Sequence, residues 1–417
     1  MPDLIKGAAV VGQSGGPTAV INASLVGVVE GLRRAGAGAG GSPITRVLGM
    51  RHGVSGLTKG EFYDLTDLSL SRLDRLAKTP SAGLGSTRDK PDRAYCERIL
   101  ESCKKHDIRY FFYIGGNDSS DTCRIVNELS NHAGYELRCF HVPKTVDNDL
   151  VGSDHTPGFP SAARFVAKAC TADFMDNISL PGIKLNVIMG RNAGFLTAAS
   201  ALARRESRFG GMGPTGDGPQ LIYLPEVPFD LDEFIQDVAK IYEHQGRCHI
   251  AVSEGIQDKH GKSIGALLIQ GETDAHGNAQ LSGSGALGDQ LANVLKEALT
   301  PRGGKSVRVR ADTFGYVQRC FPDQSWVDLN EARGAGRYAA ALAASGDIDG
   351  SVAIVRTSPI GGDQPYAAKF ERIDLSAVAA KTRHMPPEFI EGRHDVSKMF
   401  VDYCRPLVGE LPAYERL

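Results

Sequence analysis

The sequence predicts an α/β fold, with enough strand–helix units for two mainly parallel sheets covered by helices. Three observations predict it. The strand candidates are short and almost continuously apolar, as in "YFFYIGG" (110–116), which is typical of strands buried on both faces. Longer stretches with apolar residues at helical spacing, such as "LDEFIQDVAKIYEHQ" (231–245), separate these runs. The length of 417 residues also argues for two or three domains, at about 150 residues per domain.

The predicted strands and helices alternate along the chain. Helices are predicted at 94–106, 231–245 and 287–299. In chain order, the strand candidates are "GAAVVG" (7–12), "ITRVLGM" (44–50), "YFFYIGG" (110–116), "ELRCFHV" (136–142), "KLNVIMG" (184–190), "QLIYLPE" (220–226), "CHIAVSEG" (248–255), "VRVRAD" (307–312) and "SVAIVRT" (351–357).

The composition and charge of the chain argue against several classes of protein. Lysine and arginine number 47 against 49 acidic residues, a formal net charge of −2, which argues against nucleic acid or an anionic membrane surface as the main partner. No apolar run approaches the ~20 residues of a membrane span, and residues 1–16 lack the apolar core of a signal peptide. The eight cysteines form no CxxC pair and there is no HExxH motif, so neither a disulfide framework nor a zinc site is indicated. We therefore expect a soluble, cytoplasmic protein.

Polar residues and glycines cluster just past the C-terminal ends of several predicted strands. In an open α/β sheet, ligands bind at this edge, in the crevice beyond the carboxyl ends of the strands. Ordinary polar surface turns would explain each cluster by itself but explain the set poorly. The clusters are Ser14–Gly16, Gly115–Ser119, Lys144–Asp149, Gly190–Arg191 and Glu254.

Two glycines and a carboxylate follow the strand candidate at 110–116. Gly115 and Gly116 let the backbone approach a phosphate, whereas Asp118 would repel it unless a divalent cation lay between them. The segment therefore implies Mg²⁺, held by oxygen atoms. In the alternative interpretation, Asp118 only caps the helix that follows.

The segment "HVPKTVDNDLVGSDHTPGF" (141–159) carries the most particular set of reactive side chains. Asp147 and Asp149 lie two residues apart and can serve as a general base and as an orienting group or metal ligand. Lys144 can neutralise the charge of a phosphoryl group in transfer. A lone Asp-Asn-Asp is also found in Asx-rich turns, but the preceding Lys-Thr after a strand favours a reactive site.

Further candidates lie at other strand ends and in one loop. The guanidinium of Arg191 suits a phosphate monoester, and Glu254 can accept a hydrogen bond from a sugar hydroxyl. "FGYVQRC" (314–320) adds Tyr316 and Arg319, and Arg88 in "SAGLGSTRD" (81–89) can reach a phosphate. For a single arginine, a surface ion pair is the commoner alternative.

A literal GxGxxG occurs at "GSGALG" (283–288), but it follows polar residues rather than an apolar strand. Its context is therefore wrong for a dinucleotide-binding fold, and we interpret it as a turn before the helix at 287–299. A dehydrogenase is accordingly the weakest of the alternatives.

Taken together, the motifs resemble those of the phosphofructokinases in their order and in their placement at strand ends. The resemblance runs from about residue 7 to residue 357. It implies two Rossmann-like domains with the active site in the cleft between them, and phosphorylation of the 1-hydroxyl of fructose 6-phosphate. The motifs are "SGGPTAVIN" (14–22), "GLGSTR" (83–88), "GGNDS" (115–119), "PKTVDND" (143–149), "MGR" (189–191), "SEG" (253–255) and "GYVQR" (315–319).

Members of this family differ in the phosphoryl donor. Users of ATP look like GGDGS and GTIDND, whereas users of pyrophosphate look like GGDDS and PKTIDND. Asp118 stands at a glycine of the ATP pattern, where its side chain would crowd and repel the α-phosphate of a nucleotide. Lys144, which also replaces a glycine, can supply positive charge to the small leaving phosphate. The chain therefore resembles the pyrophosphate-dependent members.

The resemblance implies a role for each candidate residue. Asp147 would be the base that takes the proton of the 1-hydroxyl, with Lys144 and Asp118 as further catalytic residues and Mg²⁺ near Asn117 and Asp118. The sugar phosphate would be held by Thr145, Asp147, Asp149, Met189, Gly190, Arg191, Glu254, Tyr316 and Arg319. Pyrophosphate would be surrounded by Gly16, Gly116, Asp118, Ser119, Lys144 and Arg88.

The resemblance also implies a domain plan and a homodimer or homotetramer. We expect a donor-binding domain at 1–140 plus about 322–366, a sugar-phosphate domain at 141–321, and a segment at 367–417 that packs on the first domain. Two departures from the family pattern stand out. Asn117 replaces an acid that helps to hold the metal, and 169–183 lacks the arginine that often reaches a neighbouring subunit. An ATP-dependent kinase and a catalytically silent sugar-phosphate sensor remain as alternatives.

Overall fold

The computed structural model describes residues 4–36, 42–204, 217–268, 285–302, 304–379 and 381–414. The chain divides into two compact units. Unit 1 comprises Met1–Ser161 and Arg319–Arg383, and unit 2 comprises Ala162–Gln318 and His384–Leu417. The chain therefore passes from one unit to the other three times.

The strands and helices alternate through most of the chain. In chain order, the strands are β1 (Gly7–Gln13), β2 (Ile44–Met50), β3 (Phe62–Asp64), β4 (Ile108–Gly115), β5 (Arg138–Pro143), β6 (Ile183–Ile188), β7 (Leu221–Tyr223), β8 (Cys248–Ser253), β9 (Val309–Thr313), β10 (Asp349–Arg356), β11 (Ala368–Ile373), β12 (Ile390–Glu391) and β13 (Asp395–Val396). The α-helices are α1 (Ile21–Arg34), α2 (Val54–Lys59), α3 (Leu70–Ala77), α4 (Arg93–Lys105), α5 (Asn117–His132), α6 (Phe159–Ser179), α7 (Phe195–Ala198), α8 (Leu231–Gln245), α9 (Ile264–Leu268), α10 (Ala286–Leu299), α11 (Val317–Cys320), α12 (Trp326–Ser345), α13 (Leu375–Val378) and α14 (Lys398–Val408). Short 3₁₀ helices cover Ala199–Ala203 and Pro387–Phe389.

Unit 1 is built on a seven-stranded sheet in the order β11-β10-β5-β4-β1-β2-β3. Its strands are parallel except for β3 and β11, which pair antiparallel at the two edges. Alternate residues of β4 lie in different cores. Tyr110, Phe112 and Ile114 pack with α1, α3 and α12, whereas Phe111 and Tyr113 pack with α2, α4 and α5. This double burial is why β4 is continuously apolar rather than alternating.

Close packing of α1 against α12 closes one side of that sheet. A side chain at Gly27 would collide with the backbone of Arg333, and one at Gly336 would collide with the backbone of Ser24. The two helices can approach this closely because both contact positions lack a Cβ atom.

Unit 2 contains a four-stranded parallel sheet in the order β7-β8-β6-β9. Its core is formed by apolar residues of these strands together with α8 and α10, such as Val187, Ile250, Phe234 and Leu291. The strands β12 and β13 form a separate antiparallel pair.

The prediction of an α/β fold with mainly parallel, helix-covered sheets is confirmed. The edge strands β3 and β11 were not predicted, because β3 has three residues and β11 is mostly not buried, so neither shows an apolar run. Only the last four residues of "GSGALG" (283–288) are described, and α10 begins there at Ala286. No described helix combines the length and the apolar character that a membrane crossing requires.

The observed boundary between the first two parts of the chain lies later than the predicted one at 140/141. The segment after β5 stays in unit 1 because its far end is bonded there. The carboxylate of Asp328 on α12 accepts hydrogen bonds from the backbone N–H of Gly158 and Ser161. The chain enters unit 2 only within α6, and residues 141–161, which we assigned to the sugar-phosphate domain, lie wholly in unit 1.

The C-terminal segment also departs from the prediction that 367–417 packs on the first domain. Residues 384–417 belong to unit 2. The N–H of Ile222 on β7 donates to the carbonyl of His394, and the ring of Phe195 lies 6.4 Å from that of Tyr403 on α14. The physical reason is an apolar face on α14, including Phe400 and Tyr403, that is buried in unit 2.

Candidate active site

The turn after β1 brings backbone close to two cationic side chains. Gly15 has a φ of +73°, in the left-handed region that favours glycine. A Cβ atom at Gly15 would lie 3.0 Å from the Nζ of Lys144, and one at Gly16 would lie 2.9 Å from the guanidinium carbon of Arg319. Glycine at 16 therefore leaves room for Arg319. The turn thus lies against two cationic side chains, those of Lys144 and Arg319.

The turn after β4 is shaped by hydrogen bonds between its own residues and the β1 turn. A side chain at Gly115 would collide with Ser119, whose hydroxyl is bonded to that of Ser14 at 2.9 Å. Gly116 is the N-cap residue of α5, and its carbonyl accepts from the N–H of Ser119 and Ser120. The two predicted phosphate-binding turns thus lie side by side within unit 1.

Asn117 and Asp118 occupy the first turn of α5 but differ in exposure. The Oδ1 of Asn117 is buried and has no hydrogen-bond partner among the described residues. The carboxylate of Asp118 is 63 % exposed and lies 3.4 Å from the Nζ of Lys90. The alternative reading of Asp118 as an N-cap is wrong, because Gly116 is the N-cap and no side chain caps this end.

Lys144 carries a buried positive charge at the centre of these turns. Its side chain is 5 % exposed, its Nζ donates to the carbonyl of Gly16 at 2.8 Å, and its backbone N–H donates to Gly115 at 2.9 Å. Burial is the main cause that lowers the pKa of Lys144, to about 8, and Arg319 lowers it further. The carboxylates of Asp147 and Asp149 oppose that shift. A buried ammonium whose pKa lies near neutrality is a common feature of functional sites.

The segment after Lys144 forms a loop that carries Asp147. The backbone N–H of Asp147 donates to the hydroxyl of Thr145 at 3.1 Å, and Asp147 is half-buried. Asn148 is fully buried in a left-handed conformation, with a φ of 60°. The carbonyl of Asp149 accepts from the N–H of Arg383 at 2.8 Å. The loop is therefore held by hydrogen bonds at Thr145, before Asp147, and at Asp149, after it.

Two arginines, Arg88 and Arg319, lie near Lys144 in unit 1. Arg88 is exposed, in the loop that begins at Ser81, and it contributes to lowering the pKa of Lys144. The loop is fastened at Ser86, whose hydroxyl donates to the carbonyl of Gly15 at 2.6 Å. Arg319 is half-buried beside Gly16. The structure thus groups Arg319 with the predicted pyrophosphate residues, although we predicted it among the sugar-phosphate residues.

In unit 2, the predicted residues meet at the ends of β6 and β8. Gly190 has a φ of +122°, and its carbonyl accepts from the hydroxyl of Ser253 at 2.7 Å. A side chain at Gly255 would collide with the backbone of Arg191. The Nε of Arg191 then lies 3.8 Å from the carboxylate of Glu254, which is 4 % exposed, while Arg191 itself is 40 % exposed.

Met189 and Tyr316, two further predicted sugar-phosphate residues, differ in exposure. Met189 is buried, and its N–H donates to the side chain of Gln318 at 3.4 Å. Tyr316 is 51 % exposed. The amide of Gln318 also donates to the carbonyl of Gly315, so the "GYVQR" motif is bonded to the end of β6 within unit 2.

Sequence reasoning missed three polar residues that shape these loops. His141 is fully buried between the carbonyl of Gly115 and the hydroxyl of Ser351, and burial lowers its pKa to about 4. Lys90 faces Asp118, and His155 lies inside the loop that carries Asp147. A local signal existed for His155 and Lys90, each of which directly follows an aspartate, in "SDHTPGF" and "TRDKPD". The described residues contain no cluster of three or more His, Cys, Asp or Glu side chains arranged to hold a metal.

Comparison with known proteins gives consistent matches along nearly the whole chain. The family model described as phosphofructokinase matches residues 8–342. The chain is 50 % identical to the pyrophosphate--fructose 6-phosphate 1-phosphotransferase of Rhodospirillum rubrum, over 97 % of this chain and 95 % of that one. It is 36 % identical to the protein of the same name from Xanthomonas campestris, over 96 % and 91 % of the two chains.

A solved structure matches as closely in fold. The crystal structure of a pyrophosphate-dependent phosphofructokinase from Nitrosospira multiformis superposes with a TM-score of 0.81 at 33 % identity, covering 98 % of this chain and 94 % of that one.

Proposed function

The chain belongs to the phosphofructokinase family, and from that premise we propose that it transfers a phosphoryl group reversibly from pyrophosphate to fructose 6-phosphate. The 1-hydroxyl oxygen of the sugar forms the new bond to phosphorus, the bridging bond of pyrophosphate breaks, and phosphate leaves. The observation that carries the donor assignment is Lys144. Its buried ammonium, fixed on the carbonyl of Gly16, takes a place that a glycine holds in the ATP pattern.

The loop after β5 supplies the proposed general base. Asp147 takes the proton of the 1-hydroxyl as that oxygen attacks, and returns it in the reverse direction. Thr145 is uncharged and helps to position Asp147, because its hydroxyl oxygen accepts a hydrogen bond from the backbone N–H of Asp147. Asp149 lies two residues on and contributes to keeping Lys144 protonated.

Positive charge for the transferred phosphoryl and the leaving phosphate comes from three side chains of unit 1. The side chains of Lys144 and Arg319 lie against the β1 turn, and Arg88 lies on the neighbouring loop. Cations placed in advance, in a site with little water, stabilise developing negative charge without reorganising during the reaction. The glycine backbone at 16 and 116 and the hydroxyl of Ser119 complete the proposed pyrophosphate site.

The first turn of α5 fits a bound Mg²⁺. The buried Oδ1 of Asn117, which has no hydrogen-bond partner among the described residues, and the exposed carboxylate of Asp118 are both oxygen donors of the kind this ion prefers. When bound there, Mg²⁺ would supply positive charge that lets Asp118 face the donor phosphates.

Unit 2 supplies the proposed residues for the sugar phosphate. The planar fork of Arg191 binds the 6-phosphate, while the buried Glu254 orients that fork and accepts from a sugar hydroxyl. Met189, Gly190 and Tyr316 form the remaining surface.

Assembly and location complete the proposal. The family resemblance supports a homodimer or homotetramer, which light scattering of the purified protein would measure. All eight cysteines are free in the structure, which supports a reducing, cytoplasmic compartment.

The deciding experiment compares pyrophosphate and ATP as donors for the wild-type enzyme, Asp118→Gly and Asp118→Asn. We expect wild-type turnover with pyrophosphate and little with ATP. Asp118→Gly should raise the preference for ATP over pyrophosphate by about tenfold or more, since unit charges 4 Å apart interact by ~4 kcal/mol near a protein surface. Asp118→Asn keeps the volume of the side chain, so it separates repulsion by charge from exclusion by size.

Each outcome decides something about the proposal. Efficient wild-type turnover with ATP would replace it with an ATP-dependent kinase. Binding of fructose 6-phosphate with no turnover on either donor would make the chain a sugar-phosphate sensor. An Asp118→Gly variant that folds but still rejects ATP would show that Lys144 or the backbone also selects the donor.

A further inference from the structure

The loop that carries Asp147 is held by hydrogen bonds from its own second half, residues 156 and 157, to the residues around Asp147. The hydroxyl of Thr156 donates to the carbonyl of Thr145 at 2.8 Å, and the N–H of Thr156 donates to the Oδ1 of Asn148 at 3.0 Å. The N–H of Thr145 donates to the carbonyl of Pro157 at 3.2 Å. Residues on either side of Asp147 are thus bonded to residues 156 and 157, so the placement of Asp147 depends on what holds those two.

His155, the residue before Thr156, holds this second half in place. Its side chain is 1 % exposed and lies between two carboxylates, with Nδ1 2.9 Å from Asp154 and Nε2 2.6 Å from Glu331 on α12. Both ring nitrogens meet an acceptor, so the doubly protonated imidazolium satisfies both contacts and the neutral ring satisfies one.

The groups around His155 come from several elements and balance its charge. Arg356 on β10 lies 3.3 Å from the carboxylate of Asp154, and Arg383 donates to the carbonyl of Asp154. The hydroxyl of Tyr366 donates to the other oxygen of Glu331 at 2.7 Å. Asp328, also on α12, faces His155, and burial raises the pKa of Asp328 to about 6. Among these groups, only the carboxylates of Asp154 and Glu331 are bonded directly to the imidazole of His155.

We propose that His155, as an imidazolium between Asp154 and Glu331, is a positioning residue that keeps Asp147 in the geometry needed for phosphoryl transfer. This inference rests on the proposed function. His155 acts through Thr156 and touches none of the reacting groups. Phosphoryl transfer is sensitive to such support, because displacement of a reacting group by ~1 Å can lower the rate about 100-fold.

The geometry also predicts the pH at which the support fails. Burial opposes the charged form of His155, but the hydrogen bonds to Asp154 and Glu331 raise its pKa to about 9. The imidazolium therefore persists through neutral pH and is lost as the pH rises through about 9. Above that pH, the neutral imidazole can donate to only one of the two carboxylates, so the loop loses one of the hydrogen bonds that hold it.

The obvious alternative is a buried ion pair that contributes only to folding. Breaking such a pair is strongly destabilising whether or not the residues matter for catalysis. Loss of stability in a His155 variant therefore decides nothing by itself. A change in the pH profile of turnover does, because a purely structural pair would leave the profile of the folded enzyme unmoved.

The test measures kcat for the full-length enzyme with saturating pyrophosphate, fructose 6-phosphate and Mg²⁺ between pH 6.5 and 10. The variants are His155→Gln and Glu331→Gln, and melting temperatures confirm that each is folded at the assay temperature. Glu30→Gln is the matched control. Glu30 pairs with Arg333 and Arg337 of the same helix α12, is similarly buried at 13 % exposure, and contacts no residue of the loop.

We expect His155→Gln to lower kcat by roughly 10- to 100-fold at pH 7. The ratio of wild-type to variant kcat should then fall toward one as the pH passes 9, because the wild-type imidazole becomes neutral like the glutamine. Other ionisations, including that of Lys144, are shared by both enzymes and cancel in the ratio. Glu331→Gln should move the fall in kcat to lower pH, since Glu331 helps to keep His155 protonated, and Glu30→Gln should match the wild type at every pH.

Three results would overturn the inference. These are an unchanged kcat in His155→Gln at pH 7, a ratio that does not vary with pH, and a Glu30→Gln profile that moves like that of Glu331→Gln. If His155→Gln does not fold, the shift expected in Glu331→Gln decides alone. Wild-type turnover is measured first, so that its absence would reject the proposed function itself, whereas wild-type turnover with unmoved variants would reject only the role of His155.

Discussion

The strand-end clusters of the two units differ in how firmly their charges are held. In unit 1, the ammonium of Lys144 is buried and bonded to the carbonyl of Gly16 at 2.8 Å. In unit 2, the guanidinium of Arg191 is 40 % exposed and lies 3.8 Å from Glu254, beyond hydrogen-bond distance. The first cation is thus enclosed and fixed on a backbone carbonyl, whereas the second is much more open to solvent.

This difference matches what each end of the proposed reaction demands. Charge redistributes on the phosphoryl being transferred, so cations fixed in a site with a low dielectric constant lower the barrier most. The 6-phosphate of the sugar keeps its charge throughout, so a cation that contacts it mainly supplies binding. Changes in unit 1 should therefore affect kcat, and changes in unit 2 should affect KM.

The largest effect is expected at Asp147. Asp147→Asn keeps the shape of the side chain and the backbone bond to Thr145 but cannot accept a proton. We expect kcat to fall roughly 10²- to 10⁴-fold, the usual scale for a positioned general base, with KM for both substrates close to the wild-type values. Steady-state kinetics in both directions would measure this.

A matched control is available on α5. Asp121→Asn removes a carboxylate from a surface pair with Arg124, at 2.8 Å, and should leave kcat unchanged. Turnover of Asp147→Asn within a few-fold of the wild type would exclude Asp147 as the base and would turn attention to Asp149.

The next largest effect is expected at Lys144. Lys144→Met preserves most of the buried volume and removes the charge, and we expect kcat to fall about 10²- to 10³-fold, as for other preorganised charge-stabilising groups. The wild-type enzyme should show the same loss gradually. Burial and Arg319 lower the pKa of Lys144 to about 8, so its charge is present below pH 8 and is lost above it.

The pH profile of kcat/KM for pyrophosphate gives the measurement, because it reports ionisations of the free enzyme. It should decline above pH 8 in the wild type, and this decline should be absent from the residual activity of Lys144→Met. A wild-type profile that stays flat up to pH 9 would contradict a role for the Lys144 ammonium in binding the donor.

The sequence was informative about unit 1 because each motif directly follows one strand. Parallel strands bring their carboxyl ends to the same edge, and the register of β4 with β5 sets Gly115 opposite Pro143. That pairing is why Asp118 and Lys144, predicted separately, occupy adjoining turns. The motifs of unit 2 follow the same rule at β6 and β8, where Ile188 pairs with Ser253.

Contacts between distant parts of the chain could not be predicted in this way. Lys144 bonds to a carbonyl 128 residues earlier, and Arg319 reaches Gly16 although its motif begins in unit 2. Hydrophobic periodicity identifies strands but not their order in a sheet, so it does not say that β1 lies next to β4. The role of His155 in supporting the Asp147 loop was missed for the same reason, since its partner Glu331 lies 176 residues away in the sequence.

The smallest effect is expected at Arg191, and it separates the two units most directly. Arg191→Lys keeps the charge but loses the planar fork, so the 6-phosphate loses about one charged hydrogen bond. Such a bond contributes roughly 1.5–3 kcal/mol, which predicts a rise of at least tenfold in KM for fructose 6-phosphate, with kcat within about threefold of the wild type.

The control variant is Arg393→Lys, which alters only the surface pairs with Asp237 and Glu233 and should leave KM unchanged. Because Arg191 is partly exposed, added salt should weaken fructose 6-phosphate binding more than it affects the buried Lys144 site. A variant in which kcat falls and KM stays constant would place Arg191 in contact with the transferred phosphoryl, and the contrast between the units would then fail.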